Sequence, residues 1–205
     1  MKNLFIYLFI GVLIMLNLFL VNKVRSFKNE PIIQDTGAEV ALDLNRYYHK
    51  QNISGAQLNN GIKIDTGILV KDINNASVSL RSLIGKGTKL IIRNNEDGCG
   101  LCIEHELTLI KKFEEKIGKE NIILVTTHNN VRKLKVFKEK NNINLDVYVC
   151  PTLELPYEKI SKKPFLFLMD SSFVTSNFFI PELSESTISE TYYSNIIDRY
   201  FTEKQ

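Results

Sequence analysis

The chain has 205 residues, 44% hydrophobic and 24% charged, with a formal charge of +3 at pH 7. That length suffices for one well-buried domain plus an appendage. So small a charge, with no basic stripe, gives nucleic acid little to hold, and no nucleic-acid partner is expected. The three cysteines, Cys99, Cys102 and Cys150, are too few for a disulfide-dense mini-protein.

The first element is apolar. Residues 4–21, LFIYLFIGVLIMLNLFLV, carry no charge and one amide, Asn17. As a helix this run spans roughly 27 Å, close to the ~30 Å hydrocarbon core of a bilayer. The following NKVRSF offers no small-residue cleavage site. An uncleaved single-pass anchor is therefore expected within residues 1–23, with a cleaved signal as the alternative. The flanks disagree about orientation. Lys23, Arg25 and Lys28 after the run favour a cytoplasmic domain. The short amino-terminal flank before it favours export.

Residues 24–62 read as a stalk or linker. Val40, Leu42, Leu44 and Tyr47 suggest a short helix, which the polar, glycine-containing QNISGAQLNNG is expected to break. The main domain is expected over residues 63–205. GILVKD and SVSLRSL, joined by INNA, read as a hairpin. Lys89 to Arg93 is a β-branched strand. After Cys102, residues Ile103, Leu107, Ile110, Phe113 and Ile117 form one apolar helical face, which Gly118 ends. Asn121 to Thr126 is a buried strand. Val131, Leu134 and Phe137 mark a second helix, and Leu145 to Val149 a third strand. A loop holding Pro151 and Pro156 leads to Pro164, which opens a strand over Phe165 to Met169. FVTSNFFI pairs with that strand, and Ile188, Tyr192, Ile196 and Phe201 share the face of a final helix. Strands alternating with helices predict an α/β sandwich, and the paired last strands make its sheet mixed.

The chemistry concentrates in EDGCGLCIEHE. Cys99 sits where a strand gives way to a helix, so unpaired amides and the helix dipole favour its thiolate. The thiolate is the form that attacks disulfides. Cys102 lies one turn further on the same side and can close a bridge. Cys99 is thus the expected nucleophile and Cys102 the resolving thiol. Haem attachment would need histidine at position 103, which is Ile103. A peroxidatic site would need threonine at position 96, which is Glu96. A purely structural disulfide stays open, as does a metal site drawing on Cys99, Cys102, His105 and Cys150. His105 is expected at the surface, His49 in the stalk, and Cys150 as a small buried hydrophobe. His128 has no partner visible in sequence.

From about Gly67 to Phe201 the chain resembles the thioredoxin-like superfamily, most of all the membrane-anchored TlpA/ResA-type thiol–disulfide oxidoreductases. The resemblance rests on GILVKDINNASVSLRSLIGKGTKLIIR, on CGLC at a strand-to-helix junction, and on KKPFLFLMDSSFVTS. It implies a thioredoxin-like three-layer sandwich behind the anchor and stalk. It also implies a redox-active Cys99–Cys102 pair, with no metal and no cofactor. Pro164 would be a cis-proline packed against that pair, and Lys163 would offer its backbone to substrate. The implied partners are protein thiols and disulfides, an electron donor not identified by the sequence, and the membrane through residues 4–21. The implied location is the inner membrane with the domain in the periplasm. The other functional expectation is a non-catalytic thioredoxin-like module that binds or handles metal. The chain departs from the family at Gly98, where an aromatic is usual, at Arg93, where apolar residues are usual, and at Gly100-Leu101, where Gly-Pro is common.

Overall fold

The computed structural model describes residues 11, 13–20, 36–128 and 130–202. The chain forms two compact units, Met1–Asn45 and Arg46–Gln205. In the first, residues 13–20 are helical and their large apolar side chains, Leu16 and Phe19 among them, are exposed. Among the described residues no helix is long and apolar enough to cross a membrane. Residues 4–10, 12 and 21 of the expected anchor lie outside the described residues.

Helix α1 (Thr36–Asn59) leads into β1 (Leu69–Lys71), β2 (Ser77–Ser79) and the short α2 (Leu80–Ile84). Then come β3 (Lys89–Asn94), α3 (Gly100–Ile110), α4 (Glu114–Ile117), β4 (Ile122–Thr126), α5 (Val131–Lys140) and β5 (Asp146–Val149). The chain continues through α6 (Pro156–Ile160), β6 (Phe165–Met169), β7 (Ser176–Phe179) and α7 (Ser186–Ile196), which runs into a π-helical turn at Ile197–Phe201. The strands form one seven-stranded sheet in the order β2-β1-β5-β4-β3-β6-β7. β3 runs parallel to β4 and β4 to β5, while β6 and β1 join antiparallel. The expected mixed α/β sheet is the one observed.

Alternation along the strands sends side chains to two cores. Leu90, Ile92, Leu124, Leu166 and Leu168 face α3, α5 and α7, meeting Ile103, Leu107, Leu134 and Tyr193. Ile91, Ile123, Val125, Phe165 and Phe167 face the other way, onto Leu80 and Ile84 of α2 and Tyr157 of α6.

Several elements differ from the sequence expectation. SVSLRSL is split: Ser79 ends β2 and caps α2, its hydroxyl accepting from the Ser82 amide at 3.2 Å. That cap diverts the chain out of the strand. The long helix after Cys102 breaks at Lys111–Phe113 before α4, and Gly118 (φ 84°) ends α4 as expected. The expected loop after Pro151 contains α6, with Pro156 in its first turn, where the missing N–H costs nothing.

The largest difference concerns residues 46–62, expected as stalk but part of the second compact unit. α1 runs straight through Gly55. A Cβ there would lie 2.8 Å from Ile180 Cδ1 and 3.0 Å from Phe178 Cε1, so glycine lets the helix approach β7 closely. Asparagine side chains then tie α1 down. Asn52 accepts from the Ile180 amide at 2.7 Å and donates to its carbonyl at 3.1 Å. Asn59 accepts from the Tyr157 amide at 3.0 Å, and Asn60 from the Phe178 amide at 2.9 Å.

Candidate redox site

β3 delivers the chain to a tight turn over residues 95–98. The Gly98 amide donates to the Asn95 carbonyl at 3.0 Å, and the Asp97 amide to the Asn95 side chain at 3.0 Å. Cys99 then takes the N-cap position of α3 with extended backbone angles (φ −71°, ψ 99°). Its sulfur accepts from the Cys102 amide at 3.2 Å. This is the interaction a thiolate at a helix start needs, supplied by a donor that helix geometry leaves unpaired. Cys99 and Cys102 are joined as a disulfide, with Cα atoms 5.2 Å apart, and both are half-buried. Gly100 and Leu101 between them are exposed, so the bridge lies at the surface.

The two carboxylates before the motif are differently placed. Glu96 pairs with Lys133 of α5 at 2.7 Å, and its amide is held by Thr127 Oγ1 at 2.8 Å. The Lys133 ammonium offsets part of the negative charge that would oppose a thiolate. Asp97 is exposed. His128, at the end of β4, belongs to the same neighbourhood. Burial pushes its pKa down, Glu96 and Asp97 pull it up, and Lys133 adds to the lowering. Its ring stacks on Phe137 at 5.1 Å and bonds through Nδ1 to Thr126 Oγ1.

Gly98 explains one departure from the family. A Cβ at this position would lie 2.2 Å from the Lys162 carbonyl oxygen. The segment before Pro164 is therefore packed directly on the turn that carries Cys99, and no side chain fits between. Sequence reasoning noted the missing aromatic; the close approach of a backbone segment 64 positions away is what excludes it.

The expectation for Pro164 itself needs correction. Pro164 is buried at the start of β6, but no cis peptide bond occurs among the described residues. Trans is the intrinsically preferred form for an X-Pro bond. The Lys163 amide donates to Ser161 Oγ at 3.1 Å. The Lys163 ammonium pairs with Glu182 at 3.1 Å.

Arg93, a second departure, is buried in β3 on the α6 side of the sheet. Its Nε donates to Glu158 at 2.7 Å, and its other nitrogens donate to the carbonyls of Cys150 at 2.7 Å and Pro151 at 3.0 Å. Glu158 accepts in turn from Thr152 Oγ1 at 2.8 Å and from the amides of Leu153 at 2.8 Å and Leu155 at 3.3 Å. Arg93 thus pins the loop between β5 and α6, and through α6 the segment resting on Gly98. Sequence gave one signal for it, a charge inside an apolar strand.

Cys150 is free and buried, and its S–H donates to the Thr152 carbonyl at 3.0 Å. Burial pushes its pKa up, against the opposing pull of Arg93. Cys150 is thus an inert packing residue rather than a third redox thiol. His105 is half-buried rather than at the surface. Its Nε2 is closed off from solvent and has no hydrogen-bond partner among the described residues. Glu106, four residues past Cys102, is fully buried between α3 and α7. It accepts from Ser189 Oγ at 3.1 Å and from the Tyr193 hydroxyl, and burial pushes its pKa up. Among the described residues, no group of three or more His, Cys, Asp or Glu is placed to hold a metal.

No protein-family model matches the chain, and no curated protein matches it. Solved structures do. One is titled a putative thiol:disulfide interchange protein DsbE from Chlorobium tepidum, 14% identical, TM-score 0.51, the match covering 68% of this chain and 99% of that one. A second is a putative protein disulfide isomerase from Bacteroides thetaiotaomicron, 15% identical, TM-score 0.52, covering 71% and 95%. A third is the peroxidoxin BcpB from Mycobacterium tuberculosis, 12% identical, TM-score 0.53, covering 69% and 98%. Their titles name different activities, so what the three share with this chain is architecture. The residues past the N-terminal segment adopt the thioredoxin-like fold, with the Cys99–Cys102 pair at the junction of β3 and α3.

Proposed function

We propose that this protein is a membrane-tethered thiol–disulfide oxidoreductase that reduces or exchanges disulfides of exported proteins. The observation that carries this reading is the Cys99–Cys102 bridge at the start of α3, with the Cys102 amide aimed at the Cys99 sulfur. In the reduced protein the Cys99 thiolate attacks one sulfur of a substrate disulfide. A Cys99–substrate disulfide forms, and the other substrate sulfur leaves as a thiolate. Cys102 then loses its proton and attacks the Cys99 sulfur. The internal bridge closes and the second substrate sulfur leaves. The substrate disulfide has gained two electrons and the dithiol has lost them, so a separate electron donor must return the pair to the dithiol. The expected signature is unequal reactivity. With the full-length protein reduced, limiting iodoacetamide should label Cys99 much faster than Cys102, as mass spectrometry of the peptides would read. Equal slow labelling of both would count against a working pair.

The tether and the location belong to the same proposal. Support comes from the length of the apolar run at residues 4–21 and from the compartments where disulfides persist. The domain would then face the periplasm. Protease added to intact spheroplasts should digest it; protection until lysis would place it in the cytoplasm.

A further inference from the structure

A groove of about 400 Å³ opens between α1 and the segment joining α6 to β6. Tyr47 and Leu58 line one side, Ile160 and Ile180 the other, and Lys50 and Lys163 bring charge to it. Its walls are fixed before anything binds. The paired Asn52–Ile180 hydrogen bonds hold α1 to the chain after β7, and Asn59 holds it to α6. Ile160 is 69% exposed and Leu58 48%, so large apolar side chains stand uncovered where the fold has already positioned them. The volume lies at the lower end of that of ordinary ligand pockets, room for a side chain or two rather than a large cofactor.

Two observations say what covers it. The groove reaches Lys163, and the neighbouring Lys162 carbonyl rests on Gly98, the residue before Cys99. A polypeptide whose cysteine reacts at Cys99 would carry its flanking residues past this edge. The lining also carries positive charge. Lys50 is exposed and, among the described residues, has no ion pair, while Lys163 is balanced by Glu182. Of the two acids before the motif, Glu96 is held by Lys133 and Asp97 is exposed.

We propose that the groove is the substrate-docking site and selects an extended segment in which an aromatic or aliphatic side chain and carboxylates flank the reacting cysteine. The apolar side chain enters between Leu58 and Ile160, and a carboxylate meets Lys50. This rests on Cys99 being the attacking thiol, and it adds a preference that the pair of cysteines alone does not confer.

The test uses the full-length Cys102→Ser protein in mild detergent and two short peptides. Each peptide has one cysteine activated as a mixed disulfide with thionitrobenzoate. One is flanked by phenylalanine and glutamates, the other by glycine and serine. Attack by the Cys99 thiolate joins the peptide to Cys99 and releases coloured thionitrobenzoate, which gives the rate. The acidic, aromatic peptide should react about tenfold faster, roughly what burying one large apolar side chain supplies. The ratio should fall towards one when Ile160→Glu or Lys50→Glu is added, and hold with Lys86→Glu, an exposed lysine outside the groove. Raising the salt concentration should narrow it, since Lys50 is exposed. Equal rates for the two peptides, or an unchanged ratio in the groove variants, overturn the proposal. Failure of both peptides to react would instead sink the thiol reading. The groove is then judged by fluorescence anisotropy with a labelled serine version of the acidic peptide. Binding lost in Ile160→Glu supports the groove, and absence of binding overturns it. A dimer that Ile160→Glu dissolves, seen by light scattering, would assign the groove to a second copy of the chain and overturn the proposal as well.

Discussion

Replacing Arg93 with alanine should cost about 3–5 kcal/mol, lowering the midpoint of thermal unfolding by roughly 10 °C or more. The side chain of Arg93 is only 4% exposed and that of Glu158 13%. Alanine would leave a carboxylate buried without its counter-ion and the carbonyls of Cys150 and Pro151 without their donors. Breaking a buried pair from one side is expensive for this reason, even where the intact pair adds little net stability. Glu158 also holds the amides of Leu153 and Leu155, so the loss spreads along the loop towards α6. Lysine should recover only part of the stability, since one ammonium cannot reach all three acceptors in the planar arrangement of a guanidinium. Calorimetry of the wild type and the two variants checks this. A shift of less than about 3 °C for Arg93→Ala would show that the network contributes little.

Gly98→Ala should act mainly on activity. The new methyl carbon would lie 2.2 Å from the Lys162 carbonyl oxygen, more than an ångström inside normal contact. Neither partner is a flexible side chain, so the turn before Cys99 or the segment before Pro164 has to move. The strain should cost about 1–3 kcal/mol of stability. The displacement falls beside the reactive sulfur, where an ångström of misplacement can slow a reaction by roughly a hundredfold. Disulfide exchange in Gly98→Ala should therefore be slowed by about ten- to a hundredfold under conditions where the protein is still folded. Stopped-flow reduction of a disulfide peptide, alongside a circular-dichroism melt, separates the two effects. A rate within about twofold of wild type would mean that the contact does not position the site.

Both residues show where the sequence stopped being legible. The apolar alternation in β3, β4 and β6 can be read locally, because side-chain direction in a strand depends only on position. The spacing of Cys99 and Cys102 at a strand-to-helix junction can be read in the same way. Arg93 and Gly98 were visible only as departures, since Glu158 and Lys162 lie 65 and 64 positions away. The second half of α1 was hidden for a different reason. Its attachment is made by Asn52, Asn59 and Asn60, residues that locally read as a break, and by Gly55, which reads as a helix breaker. In the folded chain those amides complete backbone hydrogen bonds of β7 and α6, and the glycine provides close approach. The groove could not be foreseen at all, because its walls come from residues 47–58 and 157–180.

The Pro164 expectation came from family resemblance rather than from local chemistry, and the trans bond corrects it. The architecture does not depend on it. The fold rests on the strand order, on the two cores divided by the sheet, and on the placement of the cysteine pair at the end of β3.

The central claim, that Cys99 attacks and Cys102 resolves, is tested most directly by covalent trapping. Reduced Cys102→Ser and Cys99→Ser proteins, each full length, are incubated with a disulfide-bonded test protein, and the products are mapped by mass spectrometry without reductant. A stable mixed disulfide at Cys99 in Cys102→Ser, with none of comparable yield in Cys99→Ser, is the predicted result. Trapping in Cys99→Ser alone would reverse the roles, and trapping in neither would contradict thiol–disulfide exchange at this site.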